Sequence, residues 1–479
     1  MKKKLIGALL CVSMVASMLT GCGGSNNTAN NAATNNAATN NASTDEATDA
    51  ADDAATDEAA DDTASAEGGK VYYLNFKPEV DEAWQAIAAE YTEATGVEVK
   101  VVTAASGTYE ETLMSEIAKE DAPTLFQING PVGYQNWKDY TLDLSDTDLY
   151  NNLSDQTLAV TGDDGGVYGV PYTIEGYGII YNDAIMQAYF ATEGAKAASV
   201  DEINNFAKLK EVVEDMTAKK DELGIEGVFA STSLLAGEDW RWQTHTANLP
   251  VYYEFQDKGV TDTDALEFTH AENFKNIFDL YINNSCSAPT VLTSKDVASS
   301  MAEFAMGQVA MVQNGNWAWS QIAEVEGNVV KEEDCKFMPI YTGEEGEENQ
   351  GLCIGTENYW SINSQASAAD IQATKDFVNW MISSDEGKAH MVNDLGNTAP
   401  FTTFADDEKP SDPLAKSMLE SMESGKTSVS WAFTVFPSQA FKDDFGAALG
   451  EYCNGNMTWD DVVSTVVTRW AEEKAATAE

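Results

Sequence analysis

Arginine is nearly absent from this chain. Its 479 residues hold two, Arg241 and Arg469, beside three scattered histidines, His245, His270 and His390. From Lys70 onward 24 lysines and arginines stand against 69 aspartates and glutamates. Nucleic acid requires a basic face, so that class of partner is excluded. Such acidity ordinarily serves solubility, and it leaves cationic ligands open. Cysteine is scarce as well. Beyond Cys11 and Cys22 only Cys286, Cys335, Cys353 and Cys453 remain, with no C-x-x-C spacing. A zinc site is not expected, and neither is any cofactor. Cys335 and Cys353 flank the acidic stretch "TGEEGEEN" and are read either as a pair or as buried free thiols. Past the N-terminus no apolar run is long enough to span a bilayer.

The N-terminus, "MKKKLIGALLCVSMVASMLTGCGG", has the lysines, apolar run and small residues of a secretory signal. Its ending "LTGC", Leu19 to Cys22, resembles the lipobox of bacterial lipoproteins. That resemblance implies a signal peptide over 1–21, cleavage before Cys22, and lipidation of the Cys22 thiol, which anchors the protein on a membrane without spanning it. Residues 25–69 contain Asn, Ala, Thr, Ser and acidic residues but no aromatic and no large aliphatic side chain. Such a segment cannot bury enough apolar surface to offset its chain entropy. Residues 22–69 are therefore expected to be a disordered, acidic, extended tether.

The 410 residues from Lys70 onward exceed what one ordinary core holds, so two lobes are expected. "KVYYLNF" is β-rich and stops at Pro78. After it, Val80, Trp84, Ile87, Ala88 and Tyr91 recur at helical spacing until Gly96. "VEVKVVTA" is a second strand, "TYEETLMSEIAKEDAP" a second amphipathic helix and "TLFQI" a third strand. This alternation implies an α/β lobe with parallel strands covered by helices. Ligands bind such sheets beyond the carboxyl ends of the strands. The positions to watch are Phe76, Lys77 and Glu79, then Ala105 and Ser106, then Asn129 and Gly130. Further along, "VASSMAEFAMG" is helical, "QVAMVQNG" is a strand, and Asn316 is placed to cap a helix "WAWSQIAEVEG". Trp317 and Trp319 thus fall at a strand's carboxyl end.

"FAMGQVAMVQNGNWAW" (304–319) resembles the signature of family 1 extracellular solute-binding proteins. "YGVPYTIEGYGIIYND" is similar to that family's first hinge crossing, "APTLFQING" to its strand ending at the cleft, and "ATKDFVNWMISSDEGKAHM" to its late helix. "GNTAPF" resembles the return toward the second lobe, and the matches run on to "WAFTVFPSQAF". The resemblance implies a two-lobed periplasmic-binding-protein type II fold, with discontinuous α/β lobes joined by hinge crossings. Placed on this chain, lobe 1 covers 70–173 and 351–398, and lobe 2 covers 174–350 and 399–479. The implied function is to capture a carbohydrate, expected to be an oligosaccharide, in the interlobe cleft and deliver it to the permease subunits of an ABC transporter. A monomer without enzymatic activity, held by lipid on the outer face of the cell membrane, is expected. A polyamine or other cation is the alternative ligand, and a surface glycosidase is the alternative from another class.

A sugar presents apolar C–H faces and a rim of hydroxyls. Its site needs aromatic platforms and fixed polar groups, because an unmatched buried polar group costs about 1–3 kcal/mol. By the resemblance Trp317 is the platform, Glu175 accepts sugar hydroxyls beside the hinge Pro171-Tyr172, and Asn129 stands where the family commonly has Asp. Trp240 and Trp242 alternate around Arg241. On extended chain their rings share one side, giving either an aromatic cleft wall with a guanidinium or a half-buried strand. Trp431 is a second platform or core. Trp319, two residues from Trp317, is expected in the core, as are Trp84, Trp360, Trp380 and Trp470.

Overall fold

The protein is described here by a computed structural model covering residues 68–477. The expected signal peptide, Cys22 and the tether as far as residue 67 lie outside the described residues. Within them no helix is long and apolar enough to cross a membrane.

Twelve strands form two sheets. The first is built from β1 (Val71–Asn75), β2 (Val99–Thr103), β3 (Leu125–Asn129), β4 (Val160–Thr161), β5 (Val167–Pro171) and β11 (Asn358–Ile362). The second contains β6 (Glu175–Asn182), β7 (Gly227–Phe229), β8 (Val309–Gly315), β9 (Cys335–Met338), β10 (Gln350–Gly355) and β12 (Thr427–Ser430). Their orders are β2-β1-β3-β11-β5-β4 and β12-β10-β6-β8-β7, with β9 paired to β6. In the first sheet β1 lies parallel between β2 and β3, and β3 then meets β11 antiparallel. The strand–helix alternation read from residues 70–129 is therefore present. The helix Asp81–Thr95 buries Trp84, Ile87, Ala88 and Tyr91, four of the positions read at helical spacing, and ends at Gly96, while Val80 precedes it and is half-buried.

Each sheet has its own hydrophobic core. Trp84, Trp360, Phe377 and Phe401 belong to one, while Phe229, Trp242, Phe274 and Trp470 belong to the other. Trp380 is half-buried against the first. Trp319 is half-buried against a further cluster of the second sheet around Phe304 and Val312.

The chain first crosses between sheets from Pro171 to Glu175. The second crossing differs from the expected boundary at residue 351. The strand β10 pairs with β6 and β12 in the second sheet, and the change of sheet comes at Thr356–Glu357, before β11. "QGLCIGTENYWSI" reads as one apolar run, and only its Gly-Thr-Glu break marks the change. The third boundary also lies later than 399, because Ala399, Phe401 and Phe404 still pack on the first core. Backbone pairing between Ile174 and Thr398 ties the first crossing to this third one.

Cys335 and Cys353 are free and buried. Their strands follow one another along the same edge of β6, with Cys335 opposite Asn182 and Cys353 opposite Tyr177. Five residues of strand, roughly 16 Å, separate those positions, so the thiols do not pair.

Candidate ligand cleft

Two glycines explain why tryptophans stand at strand ends. In β8 a side chain on Gly315 would run into the ring of Trp317, and at the end of β10 a Cβ on Gly355 would lie 2.6 Å from Trp431 Cγ. Both indoles lie against bare backbone. Asn316 does not cap the next helix, which starts at Ala318. Its backbone N–H donates to Gly176 O (2.9 Å), and its side-chain oxygen accepts from Gly176 N (3.0 Å). This fixes the turn carrying Trp317 to the start of β6.

Around these seats the second lobe builds an aromatic wall. His245 stacks on Tyr177, with ring centroids 4.3 Å apart at 8°, and meets Trp317 edge-on at 5.4 Å. Trp240 lies 6.1 Å from Trp317 and 4.7 Å from His245. Trp431 lies 5.6 Å from Tyr177 and 4.9 Å from Phe433, so the platform and core readings of it meet in a residue that is 7% exposed.

The "WRW" stretch is not extended. Arg241–Thr246 is a π-helical turn, so Trp240 and Trp242 do not share a side. Trp242 turns into the core at 1% exposure, edge-on to Phe278 and Tyr281, and its indole N–H donates to Thr232 O. Only Trp240 remains on the wall. Arg241 is fully buried with its guanidinium carbon 3.9 Å from the Trp240 ring centre, and none of its three nitrogens has a hydrogen-bond partner among the described residues. Burial lowers its pKa to about 9. The same cause, followed by the Arg241 charge, depresses His245 well below the usual histidine value, so its imidazole is neutral at pH 7. His245 Nδ1 and Trp431 Nε1 are likewise buried without partners.

The facing surface belongs to the first lobe and to the crossings, and it is charged. Lys77, just past β1, ion-pairs with Glu175 at the start of β6, and its ammonium lies 5.5 Å from the centre of the Trp317 ring. Burial opposes the Lys77 charge, but the Glu175 and Glu79 carboxylates outweigh it and hold the pKa above the usual lysine value. Burial raises Glu79 and Glu357 against the pull of nearby lysines. Asn129, at the end of β3, lies beside Glu357 and favours its charged form. Lys442 of the helix Gln439–Cys453 acts on both Glu357 and Glu110, and Glu110 accepts from Trp137 Nε1 at 2.8 Å. A crevice of about 40 Å³ lies there, lined by Glu110, Asn129, Thr434 and Lys442 among others. The lobes touch on both sides of the cleft, where a Cβ on Gly130 would lie 3.2 Å from Thr434 Cβ and one on Gly107 2.8 Å from Gly237 O. A hollow of about 240 Å³ on the first lobe, lined by Asp146, Asp148, Gln372 and Asp376, has no aromatic side.

Of the expected residues, Trp317, Glu175, Asn129, Trp240, Arg241 and Trp431 gather along this cleft. Tyr172 does not offer itself to it. At 2% exposure it stacks on Trp360 (4.6 Å, 17°), and its hydroxyl accepts from Gln127 Nε2 (2.7 Å), holding the crossing to the first core. Trp242 is excluded for the reason given. Glu357, Lys442 and His245 were missed by the sequence reading. The charged residue breaking the β10–β11 run was a signal for Glu357, while a lysine within an amphipathic helix gives none.

Two sheets joined by repeated crossings, with polar and aromatic side chains meeting at strand ends between them, define a two-lobed α/β protein with a cleft between its lobes. Solved structures share this fold. A chitin oligosaccharide binding protein aligns at TM-score 0.66 and 18% identity over 85% of this chain and 100% of its own. The GacH receptor of Streptomyces glaucescens, solved unliganded and with acarbose, aligns at 0.64 and 17% over 85% and 99%. A sugar transporter from Bacillus licheniformis in complex with stachyose aligns at 0.61 and 16% over 84% and 100%. No curated protein matches the chain by sequence. The family model of the bacterial extracellular solute-binding proteins matches residues 86–417, and the chain belongs to that family.

Proposed function

We propose that the protein captures a carbohydrate, an oligosaccharide, between its lobes and delivers it to an ABC permease, held at the cell surface through a lipid on Cys22. One observation carries the ligand class. An aromatic wall of Trp240, Trp317 and Trp431 faces Lys77, Glu79, Asn129, Glu175 and Glu357, and unpartnered donors lie within the wall. The rings match the apolar faces of pyranoses, and the opposite side supplies donors and acceptors for a hydroxyl rim. The cation alternative is disfavoured because Lys77, Arg241 and Lys442 already bring positive charge to the cleft, with Lys77 placed over Trp317. The relatives solved with acarbose and with stachyose support the same reading.

Calorimetric titration with a panel of neutral and acidic oligosaccharides and with spermidine tests it. At least one oligosaccharide should bind, quench or shift tryptophan fluorescence, and reduce the radius of gyration measured by small-angle scattering on a chain lacking residues 1–69. A ligand moves the lobes only through its preference for the closed state. Binding of spermidine with no response to any sugar would overturn the reading.

A further inference from the structure

We propose that Arg241 and Gln313 form a subsite for a carboxylate carried by the ligand, which makes the bound carbohydrate an acidic one, a uronate-bearing oligosaccharide. The inference rests on the carbohydrate reading above and narrows it.

A buried charge needs a partner, because water no longer solvates it. Arg469, the other arginine, meets Asp444, Glu472 and Glu473 at 2.5–2.6 Å. Arg241, fully buried, meets none of the described carboxylates, and all three of its nitrogens are unpartnered. Glu238 and Glu79 are the carboxylates whose charge reaches it. Glu238 is committed elsewhere, accepting from Val297 N at 2.8 Å, and Glu79 interacts more strongly with Lys77 than with Arg241. The guanidinium lies against the Trp240 ring, and its N–H groups have no acceptor, which leaves them free for a bidentate one.

Gln313 adds a second unmatched group. It is 2% exposed, and neither its side-chain oxygen nor its nitrogen has a partner. On β8 it precedes Gly315 by two residues, so it points to the sheet face that carries the Trp317 ring. Tyr281 links the two places: its hydroxyl accepts from Gln313 N (3.1 Å), and its ring meets that of Trp242, the chain neighbour of Arg241, edge-on at 4.9 Å. A guanidinium and an amide beside a stacking platform suit a planar carboxylate on a pyranose. A neutral sugar would leave the guanidinium without a hydrogen-bonded counter-charge.

The test titrates the whole mature chain with trigalacturonate and with glucuronosyl-xylotriose, each beside its carboxyl-reduced counterpart, which has the same linkages and a neutral CH2OH. One acid should bind on the order of 30-fold or more tightly than its reduced form. Arg241→Gln should collapse that ratio toward one while weak binding persists. Gln313→Leu, which keeps the guanidinium, should lower the ratio by less. Should Arg241→Gln fail to fold, the wild-type ratio and Gln313→Leu decide the matter. Neutral sugars binding as well as or better than the acids would overturn the inference and leave the carbohydrate reading standing. Silence toward every sugar would overturn both.

Discussion

The two sides of the cleft are made from different materials. The second-lobe wall is aromatic and braced by its own contacts, with His245 on Tyr177, Trp317 on Gly315 and Trp431 on Gly355. The opposite side is a set of charges, Lys77, Glu79, Glu175 and Glu357, held by one another and raised or restrained by burial. One side is fixed by packing, so it keeps its shape whether or not the other approaches. The other is fixed by electrostatics, so its state depends on protonation and on what faces it. A receptor built this way can hold a stacking surface ready on one lobe and complete the polar rim by closure.

The sharpest way to break the contrast is within "WRW". Trp242→Ala should cost about 3–5 kcal/mol of stability in chemical denaturation, because a fully buried indole is removed. Trp317→Ala should leave stability nearly unchanged and lower sugar affinity by about 1–3 kcal/mol, read by calorimetry. Equal behaviour of the two variants would erase the distinction between wall and core.

Next in size is Asp239, which is 4% exposed at the foot of the π-helical turn and is pushed by burial to about 6. Its folded pKa lies above its unfolded value near 4. The folded state therefore holds the proton more tightly, and this group lowers stability as pH rises from about 4 to about 6. Asp239→Asn should remove that dependence and stabilise the protein at pH 8 by up to about 2–3 kcal/mol relative to pH 4, measured by urea denaturation at both pH values. A difference that does not grow with pH would show that the carboxylate is not what makes the wall's foundation pH-sensitive.

The smallest expected effect sharpens the charged side. Asn129→Asp would set a second carboxylate beside Glu357. Affinity and stability should fall by roughly 1 kcal/mol at neutral pH, and the deficit should shrink as pH falls and the pair takes up a proton. A pH-independent loss would mean that the amide, not the charge balance, matters there.

Much of this was legible in the sequence, for identifiable reasons. The strands and helices of residues 70–129 follow their hydrophobic period, so Trp84 and Tyr91 face the core as read. The strand and turn pattern put Trp317 at a strand's carboxyl end, where it stands, while its reading as a platform came from the resemblance of residues 304–319 to the family signature. The failures share a cause. Trp242 was judged by alternation, which holds only for extended chain, and a π-helical turn rotates each residue differently. Tyr172 sits beside the crossing in sequence, yet its ring is taken by Trp360 from a strand nearly 190 residues later. Lys442 and Glu357 meet only through the third dimension. The change of sheet after β10 depends on which edge was already occupied, and local pattern does not record that.

The glycine seats under Trp317 and Trp431 have a kinetic consequence. Each ring is pressed against backbone before any ligand arrives, so the rotamer freedom that binding would otherwise remove has already been given up in folding. An arriving sugar need not wait for an indole to swing into place, and association is paced by diffusion and lobe motion. A methyl group at position 315 would reverse this without touching the tryptophan. The lifted ring would sample several orientations, and capture would slow while the chemical groups of the wall stayed the same.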